Sequence, residues 1–362
     1  MSGVTLHDIA MLVGVSHQAV SATLRGSGSS RVSAATREKI LKLARQLNYV
    51  PNPAALSLAG VETRSIGIVT GTLTGLQSVI ADDICNLLLT RGYSPLLLPP
   101  VSTEGNVSAS SLSAAVQGLV ARGVDGVIIL LNEPPPRNTG EQRVPYVHCA
   151  NDWPDSDLGI DKEQTGTLPT RHLLEHGHQR IGFVQITRSN SERSLGWQKA
   201  MQEQGIDPEP TWRICLRELD GRGELFLERL RYTKLTALFA QNDYVACKVM
   251  SLLLQHGIQV PEDIAIVGCD GYAFTDFMPG GLTTVVQPIS TLATQAVDIM
   301  LERISNRDLQ AQPAKIRIPP ILRRAGSCGC APLRIEKLYR INTLSLLEKD
   351  YLLNFNDDIL EQ

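Results

Sequence analysis

The sequence predicts a small all-α head followed by an α/β body of two doubly wound lobes. Three observations lead there. The first 50 residues hold three short, capped helical periods, and from Thr63 onward apolar strands alternate with segments of helical length. Charge divides at the same place: residues 1–60 carry a net +4 in a chain of 362 residues whose total is −3, leaving −7 for the remainder. A basic head on an acidic body suits a polyanion-binding module, although a solvated basic face would look the same.

Thr5-Leu-His-Asp8 has the form of a capping box, and Ile9, Leu12 and Val13 follow at i, i+3, i+4 spacing until Gly14 ends the helix. Ser16 caps a second helix with Val20, Thr23 and Leu24 as its apolar stripe. Ser33 caps a third, with Ile40, Leu43, Ala44 and Leu47 on one face. Gly26-Ser-Gly-Ser-Ser30 between them is a loop signal. "YVPNPAALSLAG" (49–60) reads as a Pro-interrupted connection and a helical turn or two, too short and too poor in large apolar residues to be stable alone.

Strands are expected at 65–70, 94–99, 125–131, 145–149, 180–186, 236–240, 264–268 and 283–287. Eight strands over this length exceed one small sheet and imply two lobes. After Ile321 the α/β rhythm stops. Residues 331–362 place Ile335, Leu338, Ile341, Leu344, Leu347 and Leu352 among charges, which fits either an amphipathic self-association helix or a poorly ordered end.

Two helices joined by a tight Gly-containing turn make a helix-turn-helix unit, whose second helix enters the DNA major groove. With Val20, Thr23 and Leu24 turned to the core, the opposite side shows His17, Gln18, Ser21, Ala22 and Arg25. Gln can bond bidentately to an adenine edge, His can reach guanine N7 or O6, and the Ala22 methyl can meet a thymine methyl. Thr5, Ser16, Ser21, Arg31 and Ser33 are placed to hold phosphates, which fixes register without reading sequence.

The stretch 5–58 resembles the head of the lactose repressor family (LacI/GalR) nearly end to end. The resemblance rests on Thr5-Leu6, Asp8-Ile9-Ala10, Gly14-Val15-Ser16, Val20-Ser21, Val32-Ser33, Thr36-Arg37, Leu47, Tyr49 and Pro51-Asn52, with Ala55 and Leu58 at the hinge spacing. It extends over residues 3–326 through "EHGHQRIGFV" (175–184), "ALFAQNDYVACKVM" (237–250), "GIQVPEDIAIVGCDG" (257–271) and "LTTVVQP" (282–288). The resemblance implies a periplasmic-binding-protein-like body. It implies a helix-turn-helix domain over 1–50, a hinge helix and linker over 51–62, and an effector-binding and dimerisation core over 63–326. Within that core one lobe spans 63–158 with 288–318 and the other 159–287 with 319–326; residues 327–362 form a C-terminal extension.

On the same basis the hinge folds on operator DNA and Leu58 levers open a minor-groove base step, as a marginal helix and an apolar wedge would. Operator contacts are implied for Thr5, Leu6, Ser16, His17, Gln18, Ser21, Ala22, Arg25, Arg31, Ser33, Tyr49, Asn52, Ala55 and Leu58. Effector contacts are implied for Arg193, Asn242 and Asp270. Asn242 and Asp270 also follow apolar strands at their carboxyl ends, where open α/β sheets place ligands, and the set suits a sugar-like, hydroxyl-rich molecule. Asp270 could equally cap the "DG" turn.

The chain departs from the family at 19 and 22, where Thr and Arg are common and Ala19 and Ala22 stand here. It departs again in "TGTLTGLQSV" (70–79), which lacks an Asn-Pro-aromatic pattern, and at Ala150, where some sugar-binding members have an acid. Ligand identity therefore does not transfer, and non-sugar ligands stay open. His148 and Gln164 near the expected cleft are candidate selectivity residues, although each fits a structural role better.

No signal sequence and no long apolar run is present, so a cytoplasmic protein without membrane contact is expected. Seven scattered cysteines fit free thiols in a reducing compartment. Cys328-Gly-Cys330, with no His or second Cys pair near in sequence, reads as two ordinary thiols; no metal and no cofactor is expected. GxSxG, HExxH, GxxxxGKS and strand-borne GxGxxG are all missing, which argues against an enzyme. The expectation is a homodimeric transcriptional repressor that binds operator DNA and a small-molecule effector, or a tetramer joined through its tail. An activator, and less so a cytoplasmic solute-binding protein, are the alternatives.

Overall fold

The computed structural model describes residues 4–24, 32–49, 62–71, 75–103, 106–133, 144–150, 155–187, 191–218, 223–306 and 314–333. The head consists of α1 (Leu6–Val13), α2 (His17–Leu24) and α3 (Ala34–Gln46) packed around Ile9, Ala10, Val20, Ile40 and Ala44. All three caps form as the sequence predicts. The Asp8 amide donates to Thr5 Oγ1 (3.3 Å) while the Thr5 amide donates to an Asp8 carboxylate oxygen (2.8 Å); the Ala19 amide donates to Ser16 Oγ and the Thr36 amide to Ser33 Oγ, both at 3.2 Å. Gly14 ends α1 with φ 78°, a left-handed conformation that a side chain would strain.

One expectation in α1 fails. Leu12 is 60% exposed, and the buried face runs through Ile9 and Ala10 with Leu6 and Val13 packed beside them. At 100° per residue Leu12 lies on the far side of Ile9 from Ala10, so i, i+1, i+4 describes this helix better than i, i+3, i+4.

The body contains two main sheets, parallel but for one edge strand. The first has the order β2-β1-β5-β6, from β1 (Ser65–Thr70), β2 (Ser94–Leu97), β5 (Gly126–Leu130) and β6 (Tyr146–His148). Between them lies a two-residue antiparallel pair, β3 (Ser102–Thr103) with β4 (Asn106–Val107). Alternation along β1 sorts the two faces. Ile66 and Ile68 pack with α4 (Leu76–Thr90) and α10 (Ile289–Ser305), while Val69 packs with α5 (Ala109–Ala121) on the other side. Gly67 faces α5 as well, and a Cβ there would stand 2.7 Å from Leu119 Cδ1, so glycine lets that helix approach.

The second sheet has the order β14-β12-β11-β10-β8-β9. Its strands are β8 (Ile181–Gln185), β9 (Arg213–Cys215), β10 (Ala237–Ala240), β11 (Ala265–Asp270), β12 (Thr283–Val286) and β14 (Ile321–Arg323), and only β14 runs antiparallel, against β12. Phe183 and Phe239 pair in register at its centre, with Trp197 and Phe226 in the same core. Helices α6 (Lys162–Glu175), α7 (Glu192–Glu203), α8 (Glu224–Thr233) and α9 (Asp243–Gln255) accompany this sheet.

The chain passes between the two sheets after β7 (Leu158–Ile160), at Gln287, and after β13 (Ile316–Ile318), which pairs in parallel with β7. A boundary between 158 and 159 therefore falls inside β7, whose Leu158 and Ile160 both sit in the first-lobe core. The limit at 326 is likewise too early. Ser327 donates to the Ile266 carbonyl (2.6 Å) and accepts from the Thr283 amide (2.9 Å), and Cys328 is 2% exposed in the second-lobe core.

Candidate DNA-reading and effector sites

Capping of α2 by Ser16 leaves its first turn facing outward: His17 and Gln18 are exposed, Ser21 and Ala22 half-buried, while Val20 and Thr23 are buried beneath. The polar face thus stands where the sequence places it, at the start of a helix anchored by a small core. Thr5 and Ser33 are exposed at the N-terminal ends of α1 and α3, and Leu6 and Tyr49 pack against the head core. Each capping hydroxyl is already engaged. Thr5 Oγ1 lies 2.7 Å from Asp8 Oδ2 and Ser33 Oγ lies 2.9 Å from Thr36 Oγ1, so each hydroxyl bonds within its own helix end. The Thr5 amide, then its hydroxyl, holds the Asp8 carboxyl below the ordinary value. Arg25, Arg31, Asn52, Ala55 and Leu58 lie outside the described residues.

In the second lobe the carboxyl ends of β10 and β11 bring together groups far apart in sequence. Arg193, in the first turn of α7, donates through one guanidinium nitrogen to the Gln241 carbonyl (2.5 Å) and through the other to Asp270 Oδ1 (2.8 Å). Both side chains are largely buried, 19% and 10% exposed. Burial pushes the Asp270 carboxyl above its ordinary value, and the guanidinium pulls it back only in part. Asp270 also has φ 125°, a conformation rare for a non-glycine residue, costing about 1–3 kcal/mol.

Two backbone glycines set the position of Arg193. A Cβ on Gly166 of α6 would stand 2.9 Å from the Gly196 Cα of α7, and the reverse holds at the same distance. The helices touch backbone to backbone there, which fixes where the first turn of α7 begins.

Asn242 serves first as a cap, its Oδ1 accepting from the Val245 amide at 2.9 Å. Asp243, fully buried, accepts from the Gly271 amide (2.8 Å), the Tyr272 amide (2.9 Å) and the Thr284 hydroxyl (2.5 Å). It thereby fixes the loop that leaves β11 and carries Tyr272. The Tyr272 ring stacks on Phe274 at 5.5 Å and 18°, and Tyr244 lies 5.1 Å from both. The Tyr272 hydroxyl lies 3.5 Å from where a Cβ on Gly75 of the first lobe would stand, so this ring spans from one lobe to the other.

Gln287, at the return to the first lobe, directs its amide toward Asp270 Oδ1 at 3.4 Å. Tyr272, Phe274 and Gln287 were not among the expected site residues. Their only signal was position just past the ends of β11 and β12, shared with many structural residues. His148 and Gln164 make local bonds: the His148 ring bonds the Leu131 carbonyl at 2.9 Å, and Gln164 bonds the capping Asp161.

Comparison with known proteins places both regions. Residues 5–52 match the family described as "Bacterial regulatory proteins, lacI family", and residues 170–328 match a "Periplasmic binding protein-like domain". The chain is 31% identical to the ribose operon repressor of Escherichia coli (strain K12), over 89% of this chain and 99% of that one. It is 31% identical to the HTH-type transcriptional repressor PurR of Haemophilus influenzae (strain PittEE), over 88% and 96%. Among solved structures, the Lac repressor dimer bound to operator and the anti-inducer ONPF aligns with a TM-score of 0.74 at 26% identity, covering 90% of this chain and 99% of that one. A LacI family regulator from Enterococcus faecium with bound ribose aligns at 0.58 and 25% identity, over 75% and 100%.

Proposed function

The chain belongs to the lacI family of bacterial regulatory proteins, and from that premise we propose how its two sites act. It is a sequence-specific DNA-binding transcriptional repressor controlled allosterically through an effector-binding domain. In our reading α2 enters the operator major groove with His17, Gln18, Ser21 and Ala22 toward base edges, and Thr5, Ser16 and Ser33 hold phosphates. The segment 51–62 serves as hinge, with Ala55 and Leu58 in the minor groove of a site bound by two copies. Effector binding shifts the lobe arrangement and so the spacing of the two hinges. The setting is cytoplasmic, the body binds rather than catalyses, and tetramers through residues 331–362 are the finer alternative to a dimer.

The observation that carries the effector half is the Arg193–Asp270 pair at the strand ends, close to Tyr272. A fixed guanidinium, a carboxylate and an aromatic face together suit a hydroxyl-rich ring, polar at its edge and apolar on its faces. The similarity to a ribose operon repressor supports the same class. The stacked Tyr272 and Phe274 rings favour a second reading, a planar purine-like ligand, in line with the PurR relatives.

The test is calorimetric titration of the full chain with pentoses, hexoses and purine bases, beside salt-dependent binding to genomic DNA fragments. A sugar that binds the wild type, fails to bind Asp270→Asn and changes DNA affinity supports the first reading; a purine doing so supports the second. A chain that binds solutes but no duplex at low salt overturns both.

A further inference from the structure

Cys328-Gly-Cys330 has no metal-ligating neighbour in sequence, but the fold supplies two. His172 in the last turn of α6 and His176 at its C-cap lie four residues apart on one helix face, and both turn toward the pair of thiols that follows β14. His172 Nε2 is 3.2 Å from Cys328 Sγ and 3.6 Å from Cys330 Sγ, while His176 Nε2 is 3.4 Å from Cys330 Sγ. All four ligand atoms lie within 4.8 Å of one another, and all seven cysteines are free thiols.

Three of the six separations, 3.2–3.6 Å, are close to the edges of a coordination tetrahedron, and none exceeds 4.8 Å. Zinc–sulfur and zinc–nitrogen bonds near 2.3 and 2.0–2.1 Å place tetrahedral ligand atoms roughly 3.4–3.8 Å apart, N···S pairs at about 3.6 Å. Gly329, with φ 88°, makes the turn that carries both thiols to the same side. Thr283 Oγ1 lies 3.0 Å from Cys328 Sγ, the kind of outer contact that orients a thiolate ligand. Cys328 and His172 are buried, whereas His176 is exposed and Cys330 partly so, which leaves an open edge through which an ion can enter.

We propose that His172, His176, Cys328 and Cys330 form a closed tetrahedral zinc site that clamps the C-terminal end of α6 to the segment leaving the second lobe. Four protein ligands fill the coordination shell, so the ion is structural and holds no substrate position. Two thiolates and two imidazoles in this geometry select zinc over oxygen-seeking calcium or magnesium. The clamp closes across 156 residues of sequence, at the point where the chain passes into its C-terminal extension.

The experiment uses the full chain, untagged, purified in reductant without chelator, with metal measured by mass spectrometry and thiols counted. We expect one zinc per chain. After exchange, cobalt should give the intense visible bands of a tetrahedral site together with a thiolate-to-cobalt charge-transfer band. Cys330→Ser and His176→Gln, both at the open edge, should each weaken zinc binding by more than about 100-fold, beyond what loss of an outer contact does. Cys85→Ser should leave it unchanged. A chain that takes up no zinc on dialysis, cobalt spectra without the charge-transfer band, a Cys328–Cys330 disulfide under reducing conditions, or full zinc retention in Cys330→Ser overturns the proposal.

Discussion

Asp157 and Arg303 form a two-pronged ion pair in the first lobe, at 2.5 and 2.8 Å, with side chains only 3% and 6% exposed. The same carboxylate accepts from the His148 amide (2.8 Å) and the Ala314 amide (3.0 Å), and Arg303 also reaches the Tyr146 carbonyl (2.7 Å). One pair therefore ties α10 to β6 and to the segments leading into β7 and β13, where the chain passes between lobes. Removing one partner strands a buried charge: Arg303→Ala should cost about 3–5 kcal/mol in urea unfolding. The apolar double replacement Asp157→Leu with Arg303→Met should recover only part of this, because the two amides stay unpaired. Full recovery would show that those amides matter little.

The contact of Gly166 with Gly196 makes a second prediction that couples stability to ligand binding. Gly196→Ala must push α6 and α7 apart, costing about 1–3 kcal/mol, and it moves the turn that bears Arg193. Thermal melts should fall and effector affinity should fall with them. Leu195→Ala, one residue away but at a side chain 53% exposed, should change neither by much. Equal effects of the two substitutions would refute the close-contact argument.

Asp243 predicts a pH dependence. Burial first, opposed by the Thr284 and Tyr272 hydrogen bonds, raises its carboxyl from the ordinary 3.8 to about 6. The folded state then holds this proton more tightly than the unfolded chain does. The stability it contributes is complete below pH 4 and is lost as pH rises through about 6. Comparing urea midpoints at pH 5 and 7.5, Asp243→Asn should lose less stability across that interval than the wild type. Parallel pH profiles for the two proteins would refute it.

Much of this architecture was legible because it repeats a local pattern. The long buried strands read as apolar runs, and β1 falls on the residues that the pattern marks. The three-residue strands β7, β9, β13 and β14 are too short to show any period, and β7 and β13 owe their strand form to pairing with each other, with one further bridge from Leu158 to Cys149. Site geometry followed the same rule. Arg193 and Asp270 were nameable singly, but their contact across 77 residues is a product of folding, as is the meeting of His172 with Cys328. Leu12 shows the converse: its spacing fits a core stripe, yet the face that α2 and α3 cover lies elsewhere.

The last prediction concerns which DNA the head reads. Ala22 stands half-buried on α2, two residues beyond the inward-facing Val20 and four beyond the exposed Gln18. Its methyl can contact a thymine methyl but cannot donate to guanine, so under the proposed docking the base pair facing it should be read weakly. Ala22→Arg supplies a bidentate donor, and a good bidentate contact is worth ~1–3 kcal/mol of discrimination. Selection from random duplexes should therefore shift one position of each half-site toward G·C while the positions we assign to His17 and Gln18 stay as they were. A general gain in affinity at every sequence, with a steeper salt dependence, would mean that the new arginine sits on phosphate instead. No change at any position would remove residue 22 from the reading face.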